Sequence, residues 1–247
     1  GKYGDVNSVQ TSTNPTESDN PNRLYGGGGG KGQNIGSNSL PGQVSPGVPG
    51  VVIIYYTAVP YEQITQQNIN DAVNLWLSNR EEAEEKYGNI SDWDTSNVNN
   101  MESLFNKDDK ANAEQFNDDI GNWDVSNVNN MSNMFYGCAS FDQDLNNWDV
   151  GNVQNMENTF TGCTLFNGKI GDWNVSNVRT IDSTFAGCQN FNQDIGKWDV
   201  SSVLNCDYTF QGCKAFNNGG SDSIKNWDMS SFQGGKDFVR MFKDCSN

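Results

Sequence analysis

The chain has 247 residues and not one histidine. That absence removes the commonest general base near neutral pH and the commonest metal ligand. Basic residues are also few, 15 Lys and Arg against 31 Asp and Glu, for a formal charge of −16. Nucleic acid is therefore an unsuitable partner, since its phosphates demand clustered Lys and Arg. Anionic membrane surfaces are excluded on the same ground. Hydrophobic residues make up only 34% of the sequence, and mean hydropathy is −0.71. A compact globule of this length carries more, whereas a repeat array needs less, because each unit fills only a narrow strip between its neighbours. No run approaches the ~18 apolar residues of a membrane span. The strongest apolar stretch, Val51 to Tyr56, is strand-sized. No secretory leader opens the chain, which starts at Gly1, as expected of a processed chain or a piece of a longer one.

Three zones can be read. Residues 1–50 are polar and punctuated by Pro-Gly turns, with a glycine run comprising Gly26, Gly27, Gly28, Gly29 and Gly30. Such a composition cannot build a core, so order in this zone has to come from another chain. It is expected to be an extended assembly arm. Residues 51–88 begin with the strand signal Val51 to Tyr56. A helical face follows, with Ile69, Ala72, Val73, Trp76 and Leu77 at i, i+3, i+4, i+7 and i+8. Asn68 is placed as its N-cap, Asp71 lies in its first turn, and Gly88 ends the charged segment that continues it.

Residues 89–247 carry a repeat. Trp93, Trp123, Trp148, Trp173, Trp198 and Trp227 are 30, 25, 25, 25 and 29 residues apart. The two long gaps are insertions, one between Phe105 and Phe116 and the other between Phe216 and Trp227. A fixed period of this size marks stacked units. Within one unit the apolar positions are Ile120, Trp123, Val125, Val128, Met131, Phe135, Cys138, Phe141 and then Leu145. The spacing fits neither a helix nor a strand throughout. It predicts a coil with one short strand at Trp123–Val125 and a helical or 3-10 turn over Met131–Cys138. Rungs are expected to stack about 4.8 Å apart.

The strings GNWDVSNVNNMSNMFYGCASF (121–141) and GKWDVSSVLNCDYTFQGCKAF (196–216) resemble the BspA-like leucine-rich-repeat surface proteins, whose units run W-D-V-S-x-V-x-x-M and then F-x-G-C. The segment NINDAVNLWLSNREEAEEKYGNISDWDTSNV (68–98) is similar to the entry region before such arrays. The resemblance spans residues 64–247 and recurs in every unit, although Phe232 to Lys236 add three residues to the last one. It implies a surface-exposed adhesin or recognition module. Separately, GGGGGKG leading into PGVVIIYY resembles glycine-rich segments of viral and phage fibre proteins.

The Trp-Asp pairs do not signal a WD propeller, whose blades need roughly 40 residues for four strands. Cys138, Cys163, Cys188 and Cys213 recur every 25 residues, Cys245 holds the equivalent place in the last unit, and Cys206 replaces a methionine. Without histidine to activate them, these thiols are not nucleophiles. A line of thiols does not converge on zinc. Distance alone does not exclude rung-to-rung disulfides, but parallel Cβ vectors disfavour them, so buried free thiols are expected.

If Trp123 and Val125 point inward, their neighbours point out. The resulting strip is Asp92, Asp94, Asn122, Asp124, Asn147, Asp149, Asp172, Asn174, Lys197 and Asp199, continued by Asn226 and Asp228. It is the candidate interaction surface. Its carboxylates must be solvated, bond local N–H groups or share cations, and Asp124, Asp149 and Asp199 are weak calcium candidates. Asn97, Asn127, Asn152 and Asn177, continued by Ser202 and Ser231, form a further column expected to bond along the stack. Sequons at Asn89, Asn130 and Asn174 are expected by chance in so Asn- and Ser-rich a chain.

The expectation is thus a mainly β chain: a short leucine-rich-repeat-like parallel β-solenoid of about six rungs over 89–247, with an N-terminal helical cap and an extended arm. It is expected to be a non-enzymatic, extracellular or surface-exposed structural protein without cofactors. In that reading it projects the solenoid from a virion or fibre and meets other subunits through residues 1–56. The alternative is a cell-surface adhesin or recognition module binding a protein or glycan on a host or neighbouring cell.

Overall fold

The structure, a computed structural model, describes residues 60–231 and 238–245, together with the backbone of two earlier dipeptides. The chain divides into two compact units, Gly1–Pro60 and Tyr61–Asn247. In the first, β1 (Gly26–Gly27) pairs antiparallel with β2 (Val51–Val52). The rest of the expected arm, including Gly28 to Gly30 and the remainder of the Val51–Tyr56 strand, lies outside the described residues.

The second unit opens on two helices. Helix α1 (Ile69–Ser78) buries Ile69, Ala72, Val73 and Trp76, four of the five residues of the apolar face read from the sequence, and leaves Leu77 partly buried. Asn68 sits at its N-cap but makes no capping bond; its Oδ1 instead accepts from the N–H of Thr65 at 2.7 Å. Asn79 leaves the helical region at φ −151° and ψ 83°, which separates α1 from α2 (Arg80–Tyr87). Its side chain then accepts from the Glu82 N–H and starts the second helix. Gly88 ends α2 at φ 77°, a conformation that costs a side-chain-bearing residue roughly 1–2 kcal/mol.

Beyond Asp92 the chain winds in 25-residue rungs made almost wholly of tight turns. In the rung starting at Ile120, backbone N–H groups close i−3 turns at Trp123 to Ile120, Val128 to Val125, Met134 to Met131, Cys138 to Phe135 and Phe141 to Cys138. Four of the five three-residue steps of the apolar pattern, all but Val128 to Met131, span the first and last residues of these turns, and the residues at both ends are buried. Between them, alternate N–H groups bond to the next rung. Those of Met131, Asn133, Phe135 and Gly137 donate to the carbonyls of Asn155, Glu157, Thr159 and Thr161 at 2.7–2.9 Å.

This overturns the expected mainly β solenoid with a strand in every rung. From residue 60 onward no strand occurs among the described residues, and pairing reduces to isolated parallel bridges along Asn100, Asn130, Asn155, Thr180 and Asn205. Two features prevent a ladder. Every second donor between Met131 and Cys138 is used within its own turn. The backbone also turns left-handed at Asn133 and Gly137, and again at Asn158 and Gly162 one rung later. The step from Trp123 to Val125 is only an extended link between two turns. The bridges form seven residues beyond Trp123.

What replaces a sheet is a stack of rings and bonds. Phe105, Phe135, Phe160, Phe185, Phe210 and Phe242 form one file with centroids 5.3–5.7 Å apart. Phe116, Phe141, Phe166, Phe191 and Phe216 form a second, at 5.7–5.9 Å. In the tryptophan file, Trp93 stacks on Trp123, and Trp148, Trp173, Trp198 and Trp227 stack in sequence, with centroids 6.0–6.4 Å apart. The rings are therefore offset-stacked, a favourable arrangement beyond simple burial.

Helix α1 and the first insertion close the stack at its start. Gln66 accepts the N–H groups of Asn99 and Asn100 on Oε1, each at 2.9 Å, and donates Nε2 to the Asn100 carbonyl at 3.0 Å. In later rungs the Asn129 N–H bonds to Asn99 O and the Gln154 N–H to Asn129 O, so Gln66 stands in for a preceding rung. The insertion docks on α1 through Lys110, whose Nζ donates to Asn70 and Asn74, and through Asn112, which donates to the Leu77 carbonyl. In the second insertion, the buried Asn218 gives its Oδ1 to the Ile195 N–H at 2.9 Å. In an unbroken rung the equivalent Leu145 N–H bonds to the backbone carbonyl of Lys169.

Candidate functional site

The outward strip exists as a surface. Asp92, Asp94, Asn122, Asp124, Asn147, Asp149, Asp172, Asn174, Lys197 and Asp199 are all exposed, as are Asn226 and Asp228. Alternation around the extended link puts them outside even though no strand forms there.

Its inner column is a series of Asx turns. Asp94, Asp124, Asp149, Asn174, Asp199 and Asp228 each accept, on Oδ1, the N–H of the residue two further on, at 2.9–3.2 Å. The short polar side chain caps the turn that begins at Val125 and its equivalents. The Ser126 hydroxyl and N–H hold the Asp124 carboxyl below the usual range, and Ser201 and Ser230 act likewise on Asp199 and Asp228. The calcium candidates Asp124, Asp149 and Asp199 thus each serve a turn of their own rung. Among the described residues no group of three or more Asp, Glu or Cys converges as a metal centre would require.

The outer column links neighbouring rungs. Lys197 reaches Asp172 at 2.7 Å, and Asn146 donates to Asp172 at 2.9 Å, so Asp172 is held below its ordinary value chiefly by Lys197. Lys169 pairs with Asp144 at 3.0 Å. These pairs are solvent-exposed, so screening leaves each of them little weight in stability. Beside them lies a shallow open depression of about 350 Å³ lined by Asp119, Asn122, Asp144, Asn147 and Lys169 among others.

Behind this face, most of the residues that could suggest chemistry join one rung to the rung before. The indole Nε1 of Trp123, Trp148, Trp173, Trp198 and Trp227 donates to the carbonyls of Ile90, Ile120, Leu145, Ile170 and Ile195 at 2.8–3.1 Å. The thiols of Cys138, Cys163, Cys188, Cys213 and Cys245 donate to the carbonyls of Phe105, Phe135, Phe160, Phe185 and Phe210 at 2.9–3.1 Å. None of the six cysteines is in a disulfide, and burial pushes the Cys163 and Cys188 thiols far up from their ordinary value. They are donors as well as small apolar groups. Asn127, Asn152 and Asn177 donate Nδ2 to the carbonyls of Ser96, Ser126 and Gly151, so this column bonds to backbone rather than amide to amide. Asn89 and Asn174, from the sequons, accept the N–H of Ser91 and Ser176, and Asn130 does the same for Ser132.

One column escaped the sequence reading although its signal, a polar residue directly after Phe every 25 residues, was there. Asn117, Asp142, Asn167 and Asn192 accept on Oδ1 the backbone N–H of Asp142, Asn167, Asn192 and Asn217 respectively, at 2.7–2.8 Å. Gln66, Lys110 and Asn218 left no periodic signal, because each acts where the period breaks.

Trp76, buried on α1, donates Nε1 to Asp118 at 2.8 Å, and Arg80 grips the same carboxylate at 2.7 and 2.9 Å while lying over the Trp76 ring. The cleft beside them, of about 430 Å³, is therefore bounded by groups already paired with one another.

Among the described residues no helix is long and apolar enough to cross a membrane. One protein-family model matches the chain, over residues 81–163 and again over residues 144–247, and its description is "Mycoplasma protein of unknown function, DUF285". No curated protein and no solved structure matches the chain.

Proposed function

Because the chain belongs to this DUF285 family, a family of BspA-like repeats in general, we propose that it is a non-enzymatic, surface-exposed structural protein that projects its repeat stack outward from an assembly such as a virion or fibre. The observation that carries this reading is the use made of its reactive-looking side chains. The thiols are buried, hydrogen-bonded to carbonyls and pushed away from the thiolate form that a nucleophile needs. The inner-column carboxylates of the strip cap turns. A stack joined in this way is a stiff spacer with an acidic, hydrophilic face. The glycine-rich segment leading to Val51, similar to fibre segments, is the attachment part, and residues 1–56 contact the other subunits.

A second reading, an adhesin or recognition module, draws on the same exposed face, whose Asx column runs from Asp94 to Asp228 and offers one continuous contact surface to a protein or glycan. One experiment separates the two. The chain lacking residues 1–56 is expressed in place of the full chain, and intact particles or cells are probed with an antibody against the stack. Loss of the stack from the surface, with the truncated protein still folded in the soluble fraction, supports the structural reading. Retention on the surface together with loss of adherence when the strip carboxylates are replaced puts the adhesin reading first. A stack inaccessible to antibody on intact particles overturns both.

A further inference from the structure

We propose that Asn167 is a site of self-catalysed deamidation, promoted by the rung stacked above it. Two donors converge on its side-chain carbonyl: the backbone N–H of Asn192 reaches Oδ1 at 2.8 Å and the Nε2 of Gln193 at 3.0 Å. Gln193 also donates to the Asn167 backbone carbonyl at 2.7 Å, which fixes the donor in place. Paired donors on a carbonyl oxygen stabilise the negative charge that develops there when a nucleophile adds to the carbon. The nucleophile is the next backbone nitrogen, that of Gly168, which makes no hydrogen bond among the described residues. Having no Cβ, Gly168 puts no side chain in the way of ring closure, although the residue is buried where Asn167 is exposed. Glycine is required there for packing in any case, because a Cβ would overlap the Gln143 carbonyl.

The step balances without a cofactor. The Gly168 nitrogen loses its proton to water or hydroxide and bonds to the Asn167 Cγ, the Cγ–Nδ2 bond breaks, and ammonia leaves. Water then opens the five-membered imide, giving Asp or iso-Asp at 167. The Asp product suits the column: Asp142, one rung earlier, already accepts the Asn167 N–H through a carboxylate at 2.7 Å. The product adds one negative charge to an exposed position.

The stack supplies its own controls. Asn117 and Asn192 each accept two donors on Oδ1, but Asp118 and Gln193 follow them instead of glycine. Asn218 is followed by Gly219, yet it is buried and its Nδ2, the leaving group, donates to Asp194, Ser221 and Ser223. In Asn167 that group has no partner among the described residues. Selectivity for 167 therefore requires both the converging donors and the glycine.

The test incubates the purified full chain at pH 8.5 and 37 °C and follows peptide mass and ammonia release, native and in urea, for the parent and Gln193→Met. In the native parent, conversion is expected at Asn167 ahead of Asn117, Asn192 and Asn218. Gln193→Met, with an unchanged melting temperature, should slow conversion at 167 roughly ten-fold or more, and urea should abolish the preference over Asn218. Equal rates at 167 and 218 in the folded chain, or a Gln193→Met rate equal to the parent's, overturn the proposal.

Discussion

The thiol of Cys163 donates a hydrogen bond to the backbone carbonyl of Phe135, one rung earlier, at 3.0 Å. That carbonyl also accepts the N–H of Cys138 at 2.9 Å, so one oxygen closes a turn and ties two rungs together. Replacing Cys163 by Ala removes the donor and leaves a small void, an expected loss of about 1–2 kcal/mol in urea unfolding. Cys163→Ser keeps a donor and should restore part of that loss. If Ala and Ser behave alike, the bond contributes nothing.

The same burial governs reactivity. Cys138, Cys163, Cys188, Cys206 and Cys213 are buried, and Cys245 is partly exposed. Alkylation at pH 8 without denaturant should label Cys245 first, with the others appearing only on unfolding. Burial disfavours the thiolate, so moderate alkali should not open them. Native labelling of Cys163 at the rate of Cys245 would contradict the packing.

Phe160 stacks on Phe135 at 5.4 Å and on Phe185 at 5.7 Å, with Phe166 at 4.2 Å in its own rung. Phe160→Ala should cost about 3–5 kcal/mol, because rings on three sides cannot all collapse into the space. A melting temperature equal to the parent's would refute the stacked-rung architecture.

How far the sequence revealed this architecture depends on whether a residue repeats. The period, the inward set from Ile120 to Leu145 and the outward set at Asn122 and Asp124 were all legible, because inside and outside alternate with composition. The backbone that connects them was not. A two-residue step such as Trp123 to Val125 is equally compatible with a strand and with a link between turns. The left-handed residues decide the matter. Asn133 and Asn158 fit such a conformation, but Ser103, Ser183 and Tyr208 occupy the same column at φ 54–56° and give no hint of it. Caps were illegible for another reason: Gln66 and Asn218 each occur once, and their role is visible only when their amides are seen replacing a missing rung.

Gly162 and Gly187 lie at φ 77°, and a Cβ on Gly162 would stand 3.4 Å from the Gly137 Cα. Gly162→Ala combines left-handed backbone strain with crowding, so a loss of roughly 1–2 kcal/mol is expected. Asp244 holds the equivalent position in the last rung at φ 61°. Asp244→Gly should therefore stabilise, and an opposite sign would mean the column is not under strain.

Gln66→Leu removes the acceptor shared by the Asn99 and Asn100 N–H groups. Amide exchange should accelerate at those two positions before any other rung, with a global loss of about 1–2 kcal/mol. Uniform exchange across the stack would mean that this edge has no local role.

Acid sensitivity follows from the strip. The chain has no histidine, so no side chain with an ordinary pKa changes charge between about pH 5 and 8, and stability should be flat there. Below that range the turn-capping carboxylates respond. The Ser126 hydroxyl and N–H hold the Asp124 carboxyl low, and Ser201 and Ser230 do so for Asp199 and Asp228. A depressed folded-state pKa adds stability that is present above the unfolded value, about 3.9, and is lost as pH falls through the folded one. Stability should therefore begin to drop below about pH 4. Asn174 shows that an amide serves the same turn, since its Oδ1 accepts the Ser176 N–H at 3.2 Å. Asp124→Asn/Asp199→Asn/Asp228→Asn should keep the neutral melting temperature and also remove the repulsion between Asp199 and Asp228. Its melting temperature should fall less than the parent's between pH 5 and pH 2.5. If the two acid curves superimpose, the Asx column has no part in acid unfolding. If the variant melts far lower at pH 7, the carboxylate charge does more than cap a turn.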